Sequence, residues 1–209
     1  MPAFSLAIFD YDGTLADSFP WFCSVLNQTA RQFGFREVAA GEADALRALE
    51  SREIMARLGV PLWKLPVIAV HMRRLSAEAG DAVPLFPGVE PMLARLTASG
   101  ITIAIVSSNG EDAIRRTLGQ AAGHVSHFSC GASLWGKSAK FKTVIGLTGA
   151  PRERTISIGD EIRDIDAARR AGIAAGAVTF GYNSAASLRA RGPDLIFDNY
   201  GELIAKLTA

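Results

Sequence analysis

The chain has 209 residues, 49% of them hydrophobic, which is enough to bury a sizeable core in one domain or one domain with a modest insertion. Twenty-two basic residues against 21 acidic ones leave a net charge of +1, a balance that argues against a nucleic-acid binder or a polybasic membrane reader. Two cysteines without close spacing, Cys23 and Cys130, argue against a disulfide framework and fit a reducing compartment. The N-terminal apolar stretch has no basic region before it and is soon interrupted by Asp10, so it does not read as a cleaved signal peptide. No apolar run approaches the roughly 18 residues of a membrane span. The expectation is a cytoplasmic globular protein with neither a membrane nor a nucleic-acid partner.

In chain order, the first candidate strand is the apolar run Leu6–Phe9. Helical patterns follow at 21–33, 41–48, 50–58 and 65–79, with no convincing strand among them. A helix is expected over 87–98, opening on Pro87 and ending before Gly100. A second apolar run at 101–106 leads into a helix over 109–118, a strand-and-turn segment at 124–130 and a helix over 138–147. The third run, at 155–158, precedes a helix over 161–170, strands near 175–179 and 195–197, and a last helix over 199–207. Apolar runs without clean alternation are strands buried on both faces, as in a parallel sheet. From residue 101 onward the alternation of strand and helix predicts a doubly wound α/β domain. Such a sheet does not wait so long for its second strand unless something is inserted. Residues 1–15 and 84–209 are therefore assigned to an α/β core domain and 16–83 to an all-helical insertion.

Ligands of open α/β sheets bind beyond the carboxyl ends of the strands. The first strand ends in Asp10-Tyr11-Asp12-Gly13-Thr14-Leu15, and two carboxylates leaving a buried strand need a cation or a hydrogen-bond network to compensate them. Asp-Gly-Thr is also ordinary turn chemistry. The third run ends in Gly159-Asp160, with Asp164 one helical turn further on and facing the same way, although acidic residues at a helix start are also common caps. A parallel sheet would bring the two clusters together, and hard oxygen ligands gathered in that way suit Mg2+. The second run ends in Ser107, Ser108 and Asn109, where a hydroxyl and nearby backbone N–H groups suit phosphate oxygens or cap a helix. Lys137 and Lys140 stand at the next helix start, where a lysine could neutralise a phosphate and an aspartate together.

In this order, the clusters resemble the four motifs of the haloacid dehalogenase superfamily, and the helical insertion directly after the first is similar to the C1 cap of its phosphoglycolate-phosphatase-like branch. The resemblance implies a Rossmann-like core with a mobile cap, and a Mg2+-dependent phosphomonoester hydrolase acting on a small phosphorylated metabolite, phosphoglycolate being the first guess. It implies Asp10 as nucleophile and Asp12 as general acid and base. Ser107 and Lys137 bind the phosphoryl group, with Ser108 and Asn109 beside them. The resemblance further implies that Asp10 and the backbone carbonyl of Asp12 hold the metal, as does Asp160, directly or through water, with Asp164 ligating it or standing just behind those ligands. Two departures stand out. Tyr11 occupies a position where Phe, Leu or Met is more familiar, and the side chain there should point away from the site. The lysine segment lacks the common Lys-Pro-x-Pro pattern, so Lys140 competes with Lys137, which is preferred for its place in the loop and its spacing to Gly159.

Within the superfamily, Asp12 argues against a haloacid dehalogenase, and a phosphonatase would need a cap lysine where 16–83 offers only Lys64. A β-phosphoglucomutase-like phosphotransferase shares both aspartates and is the runner-up. A non-catalytic receiver-like phosphate switch shares the aspartate cluster but carries no helical insertion. His124, His127 and Cys130 lack a fourth ligand for zinc. Phe19, Trp21 and Phe22 read as cap packing, while Arg47, Arg52 and Arg57 are cap candidates for reading a substrate anion. Monomer and homodimer are both compatible with the sequence.

Overall fold

Six parallel strands form one sheet in the computed structural model, which describes residues 3–79, 83–131 and 136–209. Its order is β3-β2-β1-β4-β5-β6, with β1 at Leu6–Phe9, β2 at Thr102–Val106, β3 at His127–Ser129, β4 at Thr155–Gly159, β5 at Ala174–Val178 and β6 at Leu195–Phe197. Every residue of β1 is buried, and alternate side chains feed two separate cores. Ala7 and Phe9 join Ile103, Ile105, Ile156 and Ile158 on one face. Leu6 and Ile8 join Ala104, Val106, Phe141 and Ile165 on the other. Burial on both faces is why β1 and β2 lack the polar alternation of a half-exposed strand, while Thr155 and Ser157 of β4 are buried despite their hydroxyls. The chain is an α/β protein with a doubly wound sheet.

Helices α5 (Val89–Ala98), α6 (Glu111–Leu118) and α10 (Tyr200–Thr208) cover the first face. Helices α7 (Lys137–Thr148), α8 (Ile162–Ala171) and α9 (Ala185–Arg191) cover the second. The interval between β1 and β2 holds α1 (Phe19–Phe33), α2 (Ala43–Leu46), α3 (Ser51–Arg57) and α4 (Leu65–Ala79) before α5. The chain leaves and re-enters the sheet along two paired linkers. Asp17 donates its N–H to the Pro84 carbonyl and Phe86 to the Leu15 carbonyl, and Ala16 bridges Leu85. Residues 1–2 and 80–82, within the bounds assigned from sequence, lie outside the described residues. Among the described residues, no single helix is long and apolar enough to cross a membrane.

Three local differences from expectation have simple causes. The pattern at 41–48 yields a single helical turn, Ala43–Leu46, because Gly41 has φ of 80° and Arg36 pairs with Glu42 to hold the preceding loop. Helix α6 begins at Glu111 with Gly110 as its cap, so Ser107, Ser108 and Asn109 form a loop rather than a first turn. Helix α9 is absent from the expected elements; it is short, and Ser184 caps it by accepting the Ser187 N–H.

Candidate active site

Register places the site. Phe9 is aligned with Ile105 of β2 and Ile158 of β4, so Asp10, Ser107 and Asp160 leave three adjacent strands at the same end of the sheet. Asp10 extends the ladder by donating its N–H to the Ile158 carbonyl at 2.8 Å. Beyond it the chain turns sharply at Gly13, whose φ of 69° and close approach to the Asp160 carboxylate and the Tyr182 ring leave no room for a Cβ. Tyr11 points away and packs in the core of the first face.

The carboxylates meet. Ligand oxygens of Asp10, Asp160 and Asp164, all buried, lie within 4.8 Å of one another. Lys137, the first residue of α7, is buried with its Nζ 2.5 Å from both Asp10 Oδ2 and Asp164 Oδ1. Lys140, one turn later, is half-exposed and makes no contact of this kind among the described residues. Asp10 Oδ1 accepts the Tyr11 N–H at 2.8 Å, and Asp160 accepts from the Thr14 hydroxyl at 2.8 Å and the Tyr182 N–H at 2.7 Å. Asp164 also accepts the Glu161 N–H, one half of a capping box with Glu161. The capping role and the cluster role therefore coincide in one side chain.

Asp12 stands apart from the trio and is half-buried, with Oδ2 accepting from Asn109 Nδ2 at 2.9 Å. Ser107 is fully buried, and its hydroxyl accepts the Asn109 N–H at 3.1 Å. The Asn109 side chain thus serves Asp12, a role that its expected place beside the phosphate did not include. Residues of the site that the sequence reading passed over are Thr14, Ser18, Glu161, Arg163, Tyr182 and Asn183. Tyr182 and Asn183 follow the carboxyl end of β5, so the strand-end rule that singled out the other loops extends to this one. Thr14 lies within the first motif, where no role was assigned to it.

The second chain segment over the site comes from the α2–α3 region. Asn183 Nδ2 donates to the carbonyls of Arg47 and Leu49 at 2.8 and 2.9 Å, while its Oδ1 accepts the Ile162 N–H at 2.9 Å. Arg47 donates to the carbonyls of Tyr182 and Gly181 and lies 4.9 Å from the centre of the Phe19 ring. One buried amide therefore ties the insertion to the loop that carries Asp160.

Burial is the largest influence on these acids. It pushes the Asp10 carboxyl up to about 7 against the pull of Lys137, with Asp164 adding to the rise. Asp160 is pushed well up by burial and by the charges of Glu161, Asp10 and Asp164, and burial raises Asp12 as well. Burial opposes the charge on Lys137, but Asp10 and Asp164 outweigh it and hold the ammonium above its ordinary range. Three clustered carboxylates, two of them paired with one lysine, form a hard, anionic donor set suited to a divalent cation.

A pH dependence follows for metal-free protein. The raised acids favour the fold while protonated, so their contribution is complete below the ordinary carboxylate range and is lost as pH rises through about 7 for Asp10. Melting in EDTA is expected to fall between pH 5 and pH 8, and added Mg2+ is expected to stabilise more at pH 8 than at pH 5. Thermal melts of wild type and Asp10→Asn check this, since the variant should lose part of the slope. Equal slopes for the two proteins would contradict the assignment to Asp10.

The haloacid dehalogenase-like hydrolase family model matches residues 7–178. The chain belongs to the haloacid dehalogenase-like hydrolase family. Among relatives of this family, a phosphoglycolate phosphatase of Synechococcus elongatus is 34% identical over 207 residues, covering 96% of each chain. Another, of Agrobacterium fabrum, is 29% identical and covers 99% of this chain and 93% of its own. A solved structure from Lactobacillus plantarum, described as a putative phosphoglycolate phosphatase, shares the fold with a TM-score of 0.82 at 17% identity, over 98% of this chain and 99% of its own.

Proposed function

We propose that the chain is a Mg2+-dependent phosphomonoester hydrolase acting through an aspartyl-phosphate on Asp10, with 2-phosphoglycolate as the first candidate substrate. The observation that carries the reading is the buried Asp10, Asp160 and Asp164 cluster, balanced by Lys137 and flanked by Asp12 on its Asn109 bond. The substrate follows the name of the Synechococcus relative, which matches across the whole chain.

In the first step the Asp10 carboxylate attacks phosphorus, and an Asp10 O–P bond forms as the ester P–O bond breaks. Asp12 gives its proton to the departing oxygen, with Asn109 fixing the orientation of its carboxyl. In the second step Asp12 takes a proton from water as that water attacks the phosphoryl group, releasing inorganic phosphate and restoring Asp10. Lys137 remains an ammonium throughout and offsets charge on the phosphoryl oxygens, which also find donors in the 107–109 loop. Held by Asp10, Asp160 and the Asp12 carbonyl, with Asp164 beside them, Mg2+ would supply positive charge for aligning the phosphoryl oxygens. Residues 16–83 act as a cap that limits water access and contacts the leaving group; the bonds from Asn183 to Arg47 and Leu49 support that docking.

The test is release of inorganic phosphate from p-nitrophenyl phosphate and a panel of esters including 2-phosphoglycolate, with Mg2+ and with EDTA. Metal-dependent release is expected, with the carboxylated ester among the best. A folded protein that releases no phosphate at high enzyme concentration would overturn the hydrolase reading. Phosphoryl movement between sugar hydroxyls without release would favour the mutase.

A further inference from the structure

The turn that carries Asp12 is closed on itself. The Ala16 carbonyl accepts the N–H groups of both Gly13 and Ser18, each at 2.9 Å, so the residue after Asp12 and the residue that leads into α1 hang from one oxygen. Ser18 is fully buried, and a buried hydroxyl needs a hydrogen-bond partner. That partner comes from far along the chain: the Tyr182 hydroxyl, in the loop between β5 and α9, lies 3.0 Å from Ser18 Oγ. Burial raises the Asp12 carboxyl, and the Ser18 hydroxyl is the strongest of the groups that offset it.

Tyr182 grips this turn at both ends. Its ring lies against Gly13, where an added Cβ would come within 2.6 Å of Tyr182 Cδ2, while its hydroxyl reaches Ser18. Phe19 and Phe22 of α1 meet the same ring edge to face, with centres 5.2 and 5.5 Å away. The backbone of Tyr182 is fixed as well, its N–H donated to Asp160 at 2.7 Å and its carbonyl accepting Arg47 Nε at 3.0 Å. A ring held in this way makes its hydroxyl a fixed point. On the other side of the turn, Asn109 holds Asp12 Oδ2 at 2.9 Å.

Building on the hydrolase reading above, we propose that Tyr182 is a positioning residue for proton transfer: its hydroxyl fixes Ser18, and Ser18 fixes the turn that aims Asp12 at the leaving oxygen. The role asks no contact with the substrate of either hydroxyl. Proton transfer needs the acid within hydrogen-bond reach of the departing atom, so a small displacement of Asp12 costs rate at that step. The cost falls on esters whose leaving group needs the proton.

Tyr182→Phe removes the hydroxyl and keeps the ring and both backbone bonds. It should lower kcat/KM by about 10-fold for 2-phosphoglycolate or the best alkyl ester of the panel, and by less than about 3-fold for p-nitrophenyl phosphate, whose phenolate departs without a proton. Ser18→Ala should show the same split between the esters. The double variant should be no worse than Ser18→Ala alone, because the tyrosine acts through the serine. Thermal melts establish that each variant is folded, and Ser18→Ala carries the ester comparison if Tyr182→Phe is not. Equal losses on the two esters, or no loss on either, would overturn the proposal, as would losses that multiply in the double variant. Each of those outcomes leaves the hydrolase reading standing. A wild type that releases phosphate from no ester would bring down that reading, and the role of Tyr182 with it.

Discussion

Asp10→Asn is expected to lower kcat by about 10^4-fold or more, because no other carboxylate at the site is placed to take its role as nucleophile. Asp160 is committed to Thr14 and Tyr182, and Asp164 to Lys137 and the Glu161 N–H. The substitution removes a buried acid that resists ionisation, so the variant should melt no lower than wild type in EDTA at pH 8. Activity and folding therefore part company, which makes the outcome interpretable. Acid-quenched wild type should carry one phosphoryl group during turnover, seen as a mass increase that hydroxylamine removes; Asp10→Asn should carry none. Retention of more than about a hundredth of wild-type kcat would be incompatible with covalent catalysis at this residue.

The second large effect concerns Asp12. General acid–base groups contribute about 10^2–10^4-fold, and the share depends on how badly the leaving group needs a proton. Asp12→Asn should therefore cost most of that range in kcat/KM for alkyl esters such as 2-phosphoglycolate. For p-nitrophenyl phosphate, whose phenolate departs without a proton, the loss in kcat/KM should be at least about tenfold smaller. The same variant lacks the base for the second step, so the phosphorylated protein should accumulate in quenched samples. Equal losses for both esters, with no accumulation, would remove Asp12 from proton transfer and leave it a structural part of the turn.

Much of the architecture was legible because burial leaves a simple trace. Strands β1, β2 and β4 are buried at nearly every position, and their polar ends fall where ligands bind in such sheets. Strand β3 left a fainter trace, since its three residues, His127–Ser129, are half-buried at one edge of the sheet. Asp10, Asp160, Asp164 and Lys137 were readable as types at spacings, and the fold brings them together. What escaped depends on direction rather than type. A serine, serine and asparagine ahead of a helix look like caps, yet Ser107 turns onto Asn109 and Asn109 reaches Asp12. Arg163 reads as a surface charge in the first turn of a helix, and only packing seals its Nε. Among the arginines of 16–83, Arg47 is distinguished by backbone carbonyls of Gly181 and Tyr182, which carry no signature in the sequence.

The strand order has a consequence for how the chain comes to be folded. β1 precedes both of its partners in the chain, pairing on one side with Thr102–Val106 and on the other with Thr155–Gly159. Until the second of those segments leaves the ribosome, an apolar strand with open hydrogen-bonding edges has no native neighbour on one flank. Long-range parallel pairing of this kind is slow to form and exposed to aggregation. The helices α1 to α4 make local contacts and are available much earlier. The insertion therefore gives the nascent chain something to fold while its central strand waits, and shortening it would bring β1 and β2 closer in time of synthesis.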